Sequence, residues 1–155
     1  MGNSTSLSQP IARQQMWDER FLSMAKLAST WSKDPSTKVG AVIVTPDNVV
    51  VSVGYNGFAK RMPDAEEHYA DRTAKYSRIV HAETNAILLA RGDVRGFTLY
   101  CTFRPCDRCS VQIIQAGIVR VACPRVEGEA AERWRTSFET ARQYFGESGV
   151  NFVEV

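Results

Sequence analysis

The sequence contains no apolar run of the roughly 20 residues that a membrane-spanning helix needs, and no block of like charge stands out. The 19 Lys and Arg against 17 Asp and Glu leave a formal charge of only +2. That bias is too weak to suggest a long nucleic-acid partner, whose binding usually leaves a concentrated basic stripe. A small anionic substrate remains compatible. Only four cysteines occur in 155 residues, and no internal repeat is visible. Neither a disulfide framework nor a repeat scaffold is needed, because a chain of this length can bury roughly two-thirds of its unfolded surface in one core. Met1 to Pro10 is rich in Ser, Gln and Asn and has no apolar centre, so no signal peptide is visible. The expectation is a loose arm over residues 1–12 and a single domain over 13–155, soluble and cytoplasmic, with no membrane partner.

Two short stretches carry the chemistry. His81-Ala82-Glu83-Thr84-Asn85 is followed by Pro105-Cys106-Asp107-Arg108-Cys109, giving the pattern H-x-E then P-C-x-x-C. This is similar to the signature of zinc-dependent nucleobase deaminases. Catalytic zinc takes three nitrogen or sulfur ligands from the protein and leaves a fourth position for water. His81, Cys106 and Cys109 fill that count. If a helix starts at Pro105, both thiols fall on one face, and the positive end of the helix favours their thiolates. A second helix starts at His81 and ends near Gly92. Glu83 lies two residues after His81, which on a regular helix aims it away from the ligand direction and suits it to carry protons as the catalytic residue. A C-x-x-C pair alone is as often structural zinc or a redox pair. Structural zinc, however, usually has four protein ligands, and Cys101 and Cys123 form no second close pair. They sit in apolar runs where free cysteine behaves as a small hydrophobe.

Along the chain, Trp17, Phe21, Met24, Ala28 and Trp31 recur at helical steps and predict a core-facing helix over 15–33. Val39 to Thr45 and Val49 to Tyr55 predict an antiparallel hairpin around Pro46-Asp47-Asn48. Gly54-Tyr55-Asn56-Gly57 reads as a turn at its end. Residues 58–79 are polar and mixed, with some helix expected around 65–75. Strands over 98–102, 118–122 and 150–155 alternate with helices, the last of which carries the stripe Ala130, Trp134, Phe138, Ala141 and Phe145. The alternation predicts an α/β fold, a three-layer αβα sandwich on a five-stranded mixed sheet whose last three strands are parallel. The two ligand-bearing helices should then start side by side, near the carboxyl ends of strands. Ser36, Thr37 and Lys38 form a hydroxyl-rich, singly basic loop suited to a phosphate. A helix-ending turn with a solvated lysine explains the same residues equally well.

On these residues the chain resembles the deoxycytidylate (dCMP) deaminase family of the cytidine deaminase-like fold. The resemblance rests on Asp34-Pro35-Ser36-Thr37-Lys38, Val39-Gly40-Ala41, Gly54-Tyr55-Asn56-Gly57, His81-Ala82-Glu83 with Asn85-Ala86-Ile87, and Pro105-Cys106 to Cys109 with Ile113-Ile114-Gln115-Ala116-Gly117-Ile118. It implies hydrolysis of dCMP to dUMP and ammonia, supplying thymidylate synthesis, with Zn2+ at His81, Cys106 and Cys109. Asn56 matches a sugar-contacting asparagine, and Ala82 and Pro105 complete the implied substrate-binding set with Ser36, Thr37 and Lys38. The resemblance further implies a homohexamer activated by dCTP and inhibited by dTTP, with room for Mg2+ beside a bound triphosphate. The effector site would involve Lys38, Tyr55, Gly57, Phe58, Lys60 and Arg61. Phages often carry such an enzyme, which would then act in the host cytoplasm. Here Asn56-Gly57-Phe58 is followed by Ala59-Lys60-Arg61, where many relatives have proline directly. Two other readings remain: a deaminase of tRNA or single-stranded DNA bases, which shares the zinc motif, and a catalytically silent nucleotide sensor, for which Glu83 would have no purpose.

Overall fold

A computed structural model describes residues 8–155. Helix α1 (Ser8–Ser29) is followed by the hairpin β1 (Gly40–Val44) and β2 (Val50–Tyr55), and then by the short strand β3 (Gly57–Phe58). Helices α2 (Glu66–Ala70) and α3 (Arg72–Arg78), strand β4 (Ile79–Val80) and helix α4 (Ala82–Leu89) come next. The chain closes with β5 (Thr98–Cys101), α5 (Asp107–Gln115), β6 (Arg120–Cys123), α6 (Gly128–Ser148) and β7 (Asn151–Glu154). No helix among the described residues is long and apolar enough to cross a membrane.

The main sheet has the order β2-β1-β5-β6-β7. β1 pairs antiparallel with β2 and β5, while β5, β6 and β7 run parallel. This is the expected five-stranded mixed sheet. β1 is buried along its whole length, as a strand covered on both faces must be. Ala41 and Ile43 point to the face covered by α4, α5 and α6, where Ala86, Ile113, Ala141 and Phe145 complete the larger core. Val42 and Val44 point to the other face, against Phe21 and Ala25 of α1. The layers are therefore one helix, the sheet, and three helices. Each fully buried large side chain, such as Phe145 or Ile43, contributes about 1.5–3 kcal/mol of hydrophobic stabilisation.

Several expectations need correction. The arm expected over 1–12 lies outside the described residues up to residue 7, but residues 8–12 are already helical. Pro10 falls in the first turn, where its missing N–H costs nothing. Of the stripe expected over 15–33, Phe21 and Ala28 are buried, but Met24 is 42% exposed with Ala25 buried beside it, and Trp31, 53% exposed, lies beyond the end of α1 at Ser29. Small residues are needed there because α1 lies directly on β1. A Cβ on Gly40 would stand 2.7 Å from Ser29 N, and closer still to the Ala25 carbonyl. The Gly54 to Gly57 stretch is not a turn. Asn56 alone interrupts the strand, and β3 leaves the main sheet to pair with β4. The helix expected near 65–75 is two short ones, joined at Asp71, which ends α2 and caps α3 by accepting from the N–H groups of Thr73 and Ala74.

Candidate active site

Each of the two motifs places a metal-ligating side chain at the start of a helix. The β3–β4 pairing fixes the chain just before His81, which is the N-cap of α4 in extended conformation. Cys106 is the N-cap of α5, whose first residue is Asp107, two residues later than the expected opening at Pro105, and its thiol accepts from the Cys109 N–H at 3.5 Å. α4 is held against β2 by two bonds: Ser52 donates to the Ala86 carbonyl at 2.6 Å, and Asn85 donates to the Tyr55 carbonyl at 2.8 Å. Gly54 permits this closeness, since a Cβ there would lie 2.5 Å from Ala86 N.

His81 Nδ1 stands 3.6 Å from Cys106 Sγ and 3.3 Å from Cys109 Sγ. All three ligand atoms lie within 4.8 Å of one another. Tetrahedral bonds of about 2.0–2.3 Å put neighbouring N and S ligands about 3.5 Å apart, so the donor set fits zinc in both identity and spacing. The two thiols share their proton unequally. The Cys109 thiol, and behind it His81 and the Cys109 N–H, hold Cys106 down to about 4 against the opposing effect of burial. The Cys109 thiol is pushed up by Cys106 and by burial, and Cys106 holds the His81 ring above its usual range. A divalent ion would replace the remaining protons, as thiolate coordination requires. The four cysteines are all free, with Cys101 and Cys123 buried in the larger core.

Glu83 is 4% exposed and makes no ion pair among the described residues. Burial raises its pKa, opposed in part by His81. Its carboxyl lines a cleft of about 300 Å³ together with His81, Ala82 and Cys106. A buried carboxyl thus borders the same space as the metal ligands.

Ser36, Thr37 and Asn56 also line that cleft, whereas Lys38, which is exposed, and Pro105, which is buried, are outside the lining. Most of the hydrogen-bonding capacity of the Asn56 side chain is already used. Its Oδ1 accepts from the Val39 N–H at 2.8 Å, and its Nδ2 donates to the Thr37 carbonyl at 2.8 Å and toward Asp34 at 3.4 Å. Asp34 is the hub of this loop, accepting from the N–H groups of Ser36 and Thr37 at 2.8 and 3.2 Å and from Lys75 Nζ at 2.8 Å. Of the residues expected at an effector site, Tyr55, Lys60 and Arg61 are exposed, Gly57 is half-buried, and Phe58 stacks on Tyr69 at 4.0 Å.

Motif reading missed Lys75, Arg72, Phe103, Arg104 and Arg133, all of which line the cleft. Trp134 and Phe138 were legible as a stripe, but the stripe's first half faces the cleft as well as the core. Arg104 pairs with Glu154 and lies over the rings of Phe138 and Phe152 at 5.1 and 5.7 Å.

Comparison with known proteins agrees with this geometry. The family described as "Cytidine and deoxycytidylate deaminase zinc-binding region" matches residues 15–124. A deaminase of Aliivibrio fischeri, encoded in the luxG 3′ region, is 42% identical over 134 residues, covering 86% of this chain and 90% of that protein. The deoxycytidylate deaminase of Mus musculus is 38% identical over 146 residues, covering 88% of this chain and 78% of its own. Among solved structures, the dCMP deaminase of cyanophage S-TIM5 in complex with dCMP and dUMP superposes with a TM-score of 0.69 at 25% identity, covering 88% of this chain and 95% of that one. The extent of these matches, together with the donor set at His81, Cys106 and Cys109, shows that the chain belongs to the cytidine and deoxycytidylate deaminase zinc-binding family.

Proposed function

We propose that this protein hydrolyses dCMP to dUMP and ammonia, with Glu83 as the proton carrier. The observation that carries the reading is the Glu83 carboxyl, buried and without an ion-pair partner, bordering the same cleft as a three-ligand metal set. Zinc held by His81, Cys106 and Cys109 would supply Lewis acidity, which lowers the pKa of water from about 15.7 toward about 7. Glu83 takes the proton that the attacking water gives up and passes it to N3 of the pyrimidine, which makes C4 electrophilic. It then takes the remaining proton from the new C4 hydroxyl and delivers it to the departing amine, so water enters, ammonia leaves, and the carboxyl returns to its starting state. Transfer of this kind supplies about 10²- to 10⁴-fold of rate. Burial suits Glu83 to the task, because it brings the carboxyl's affinity for protons nearer to working pH.

Regulation and assembly belong to the same reading. Activation by dCTP, inhibition by dTTP and a homohexamer are proposed from the family resemblance. Tyr55, met edge-on by Trp31 at 5.9 Å, and the exposed Lys60 and Arg61 are the groups offered to an effector, with Mg2+ as companion to its triphosphate. The free buried thiols suit a reducing cytoplasm.

The test is ammonia release by zinc-loaded protein with dCMP, deoxycytidine, dCTP and a cytosine-containing oligonucleotide, each with and without added dCTP and dTTP. Turnover of dCMP, raised by dCTP and suppressed by dTTP, is the expected result. Turnover of the oligonucleotide alone would move the protein to the nucleic-acid branch, and no turnover of any substrate would leave a sensor.

A further inference from the structure

Four cationic side chains besides His81 line the cleft: Arg72, Lys75, Arg104 and Arg133. Two of them are committed. Lys75 is buried against Asp34 at 2.8 Å, and Arg104 is paired with Glu154. The lining carboxylates are Asp34, already neutralised by Lys75, and Glu83, which is reserved for the proton transfer. Arg72 and Arg133 remain, both exposed and neither in an ion pair or side-chain hydrogen bond among the described residues. They come from separate walls, Arg72 from the first position of α3 and Arg133 from the first half of α6. The cleft therefore runs from a buried reacting carboxyl to a mouth carrying two uncompensated guanidinium groups.

We infer that Arg72 and Arg133 form the subsite for the phosphate of the substrate, and so select a nucleotide over its nucleoside. The inference rests on the deaminase reading above and adds to it the residues that recognise the anion. A 5′-nucleotide has the same order as the cleft, with its reactive amine at one end and its dianion at the other. Guanidinium groups bind phosphate oxygens in paired, charge-assisted hydrogen bonds, which a lysine's single ammonium does not reproduce. Ser36 supports the same subsite. Its Oγ accepts from Lys75 Nζ at 3.3 Å, which leaves the hydroxyl hydrogen free to donate into the cleft. The cationic grip then belongs to α3 and α6, while Lys38 stays outside the lining.

The experiment compares the zinc-loaded protein with Arg72→Ala, Arg133→Ala, the double variant and Lys38→Ala. Two readouts are taken: the ratio of kcat/KM on dCMP to that on deoxycytidine, and calorimetric binding of dUMP, of deoxyuridine and of inorganic phosphate. A lost hydrogen bond to a charged group corresponds to about 10- to 100-fold. Each single variant should therefore lower the dCMP-to-deoxycytidine ratio about tenfold through KM for dCMP, and the double variant should lower it more. Binding of dUMP should weaken in parallel, with deoxyuridine insensitive. Lysine at either position should restore part of the ratio. Equal losses on nucleotide and nucleoside, or an unchanged ratio in the double variant, would overturn the assignment, as would a Lys38→Ala effect larger than that of the double variant. If the unsubstituted protein fails to turn over dCMP, the deaminase reading fails. The arginine subsite is then still decided by whether the double variant loses dUMP and phosphate binding.

Discussion

Lys75 Nζ stands 2.8 Å from Asp34 Oδ1, with side chains 11% and 2% exposed. This pair fastens α3 to the loop that carries Ser36 and Thr37 into the cleft. Removing one partner leaves a buried charge without its counterion, which costs about 3–5 kcal/mol. Lys75→Met should therefore lower the urea midpoint strongly and raise KM for the substrate. The double variant Asp34→Asn with Lys75→Met should recover part of the stability, because both charges are gone. A Lys75→Met protein with unaltered midpoint and KM would show that the pair fastens nothing.

Glu83→Gln keeps the shape of the side chain and removes its ability to take a proton. The variant should fold, bind one zinc per chain by elemental analysis, and release ammonia at least about 10²-fold more slowly. Retention of more than a tenth of the rate would remove Glu83 from its role.

Gly54 lies under α4, where a Cβ would meet the backbone of Ala82 and Ala86. Backbone cannot yield as a flexible side chain does, so Gly54→Ala must move α4, and with it His81 and Glu83. The expected outcome is lower stability together with weaker zinc retention during chelator titration. Gly57→Ala is the comparison, since a Cβ there meets nothing within 4 Å. Equal behaviour of the two variants would contradict the close approach.

Asp18 and Arg120 form an ion pair at 2.8 Å on the far side of the sheet from α4, joined by Tyr100, whose hydroxyl donates to Asp18 at 2.8 Å. Burial alone would raise the Asp18 carboxyl, but the hydrogen bonds from Arg120, Gln14 and Tyr100 outweigh it and hold the group below its ordinary value of 3.8. A depressed folded-state value means that the stabilisation is complete above about pH 4 and is lost as the pH falls through the folded value. Asp18→Asn should therefore destabilise at pH 7, by about 3 kcal/mol if the Arg120 charge stays buried. The gap between variant and parent should shrink in urea melts toward pH 3. A gap independent of pH would rule out the carboxylate's charge as its source.

The metal-ligating set and the buried carboxyl beside it were legible because they sit within two short segments whose spacing brings them together. The hairpin and the parallel strands were legible because β-branched runs have few alternatives. The inward face of α1 was misread at Met24, and its end was placed too late at Trp31: bulky apolar residues give a strong pattern signal, whereas the close packing is made at Ala25, where the helix backbone lies on Gly40. Residues 58–79 were opaque for another reason. Their structure depends on partners far along the chain, such as Lys75 with Asp34, Phe58 in β3 with Ile79 in β4, and Lys33 with Asp64 at 2.7 Å. Local pattern contains no information about such pairs. The cleft arginines were hidden because an exposed basic residue looks the same in sequence whether it faces solvent or a ligand.

The cleft draws its reacting groups and its mouth from different parts of the chain. His81, Glu83, Cys106 and Cys109 stand on α4 and α5, anchored to the sheet, while Arg72 and Arg133 project from α3 and α6. A change at the mouth need not disturb the centre, because among the described residues neither arginine's side chain makes a hydrogen bond or ion pair. Descendants of such a protein could exchange one pyrimidine compound for another by altering α3 and the first half of α6, with the reaction itself inherited intact.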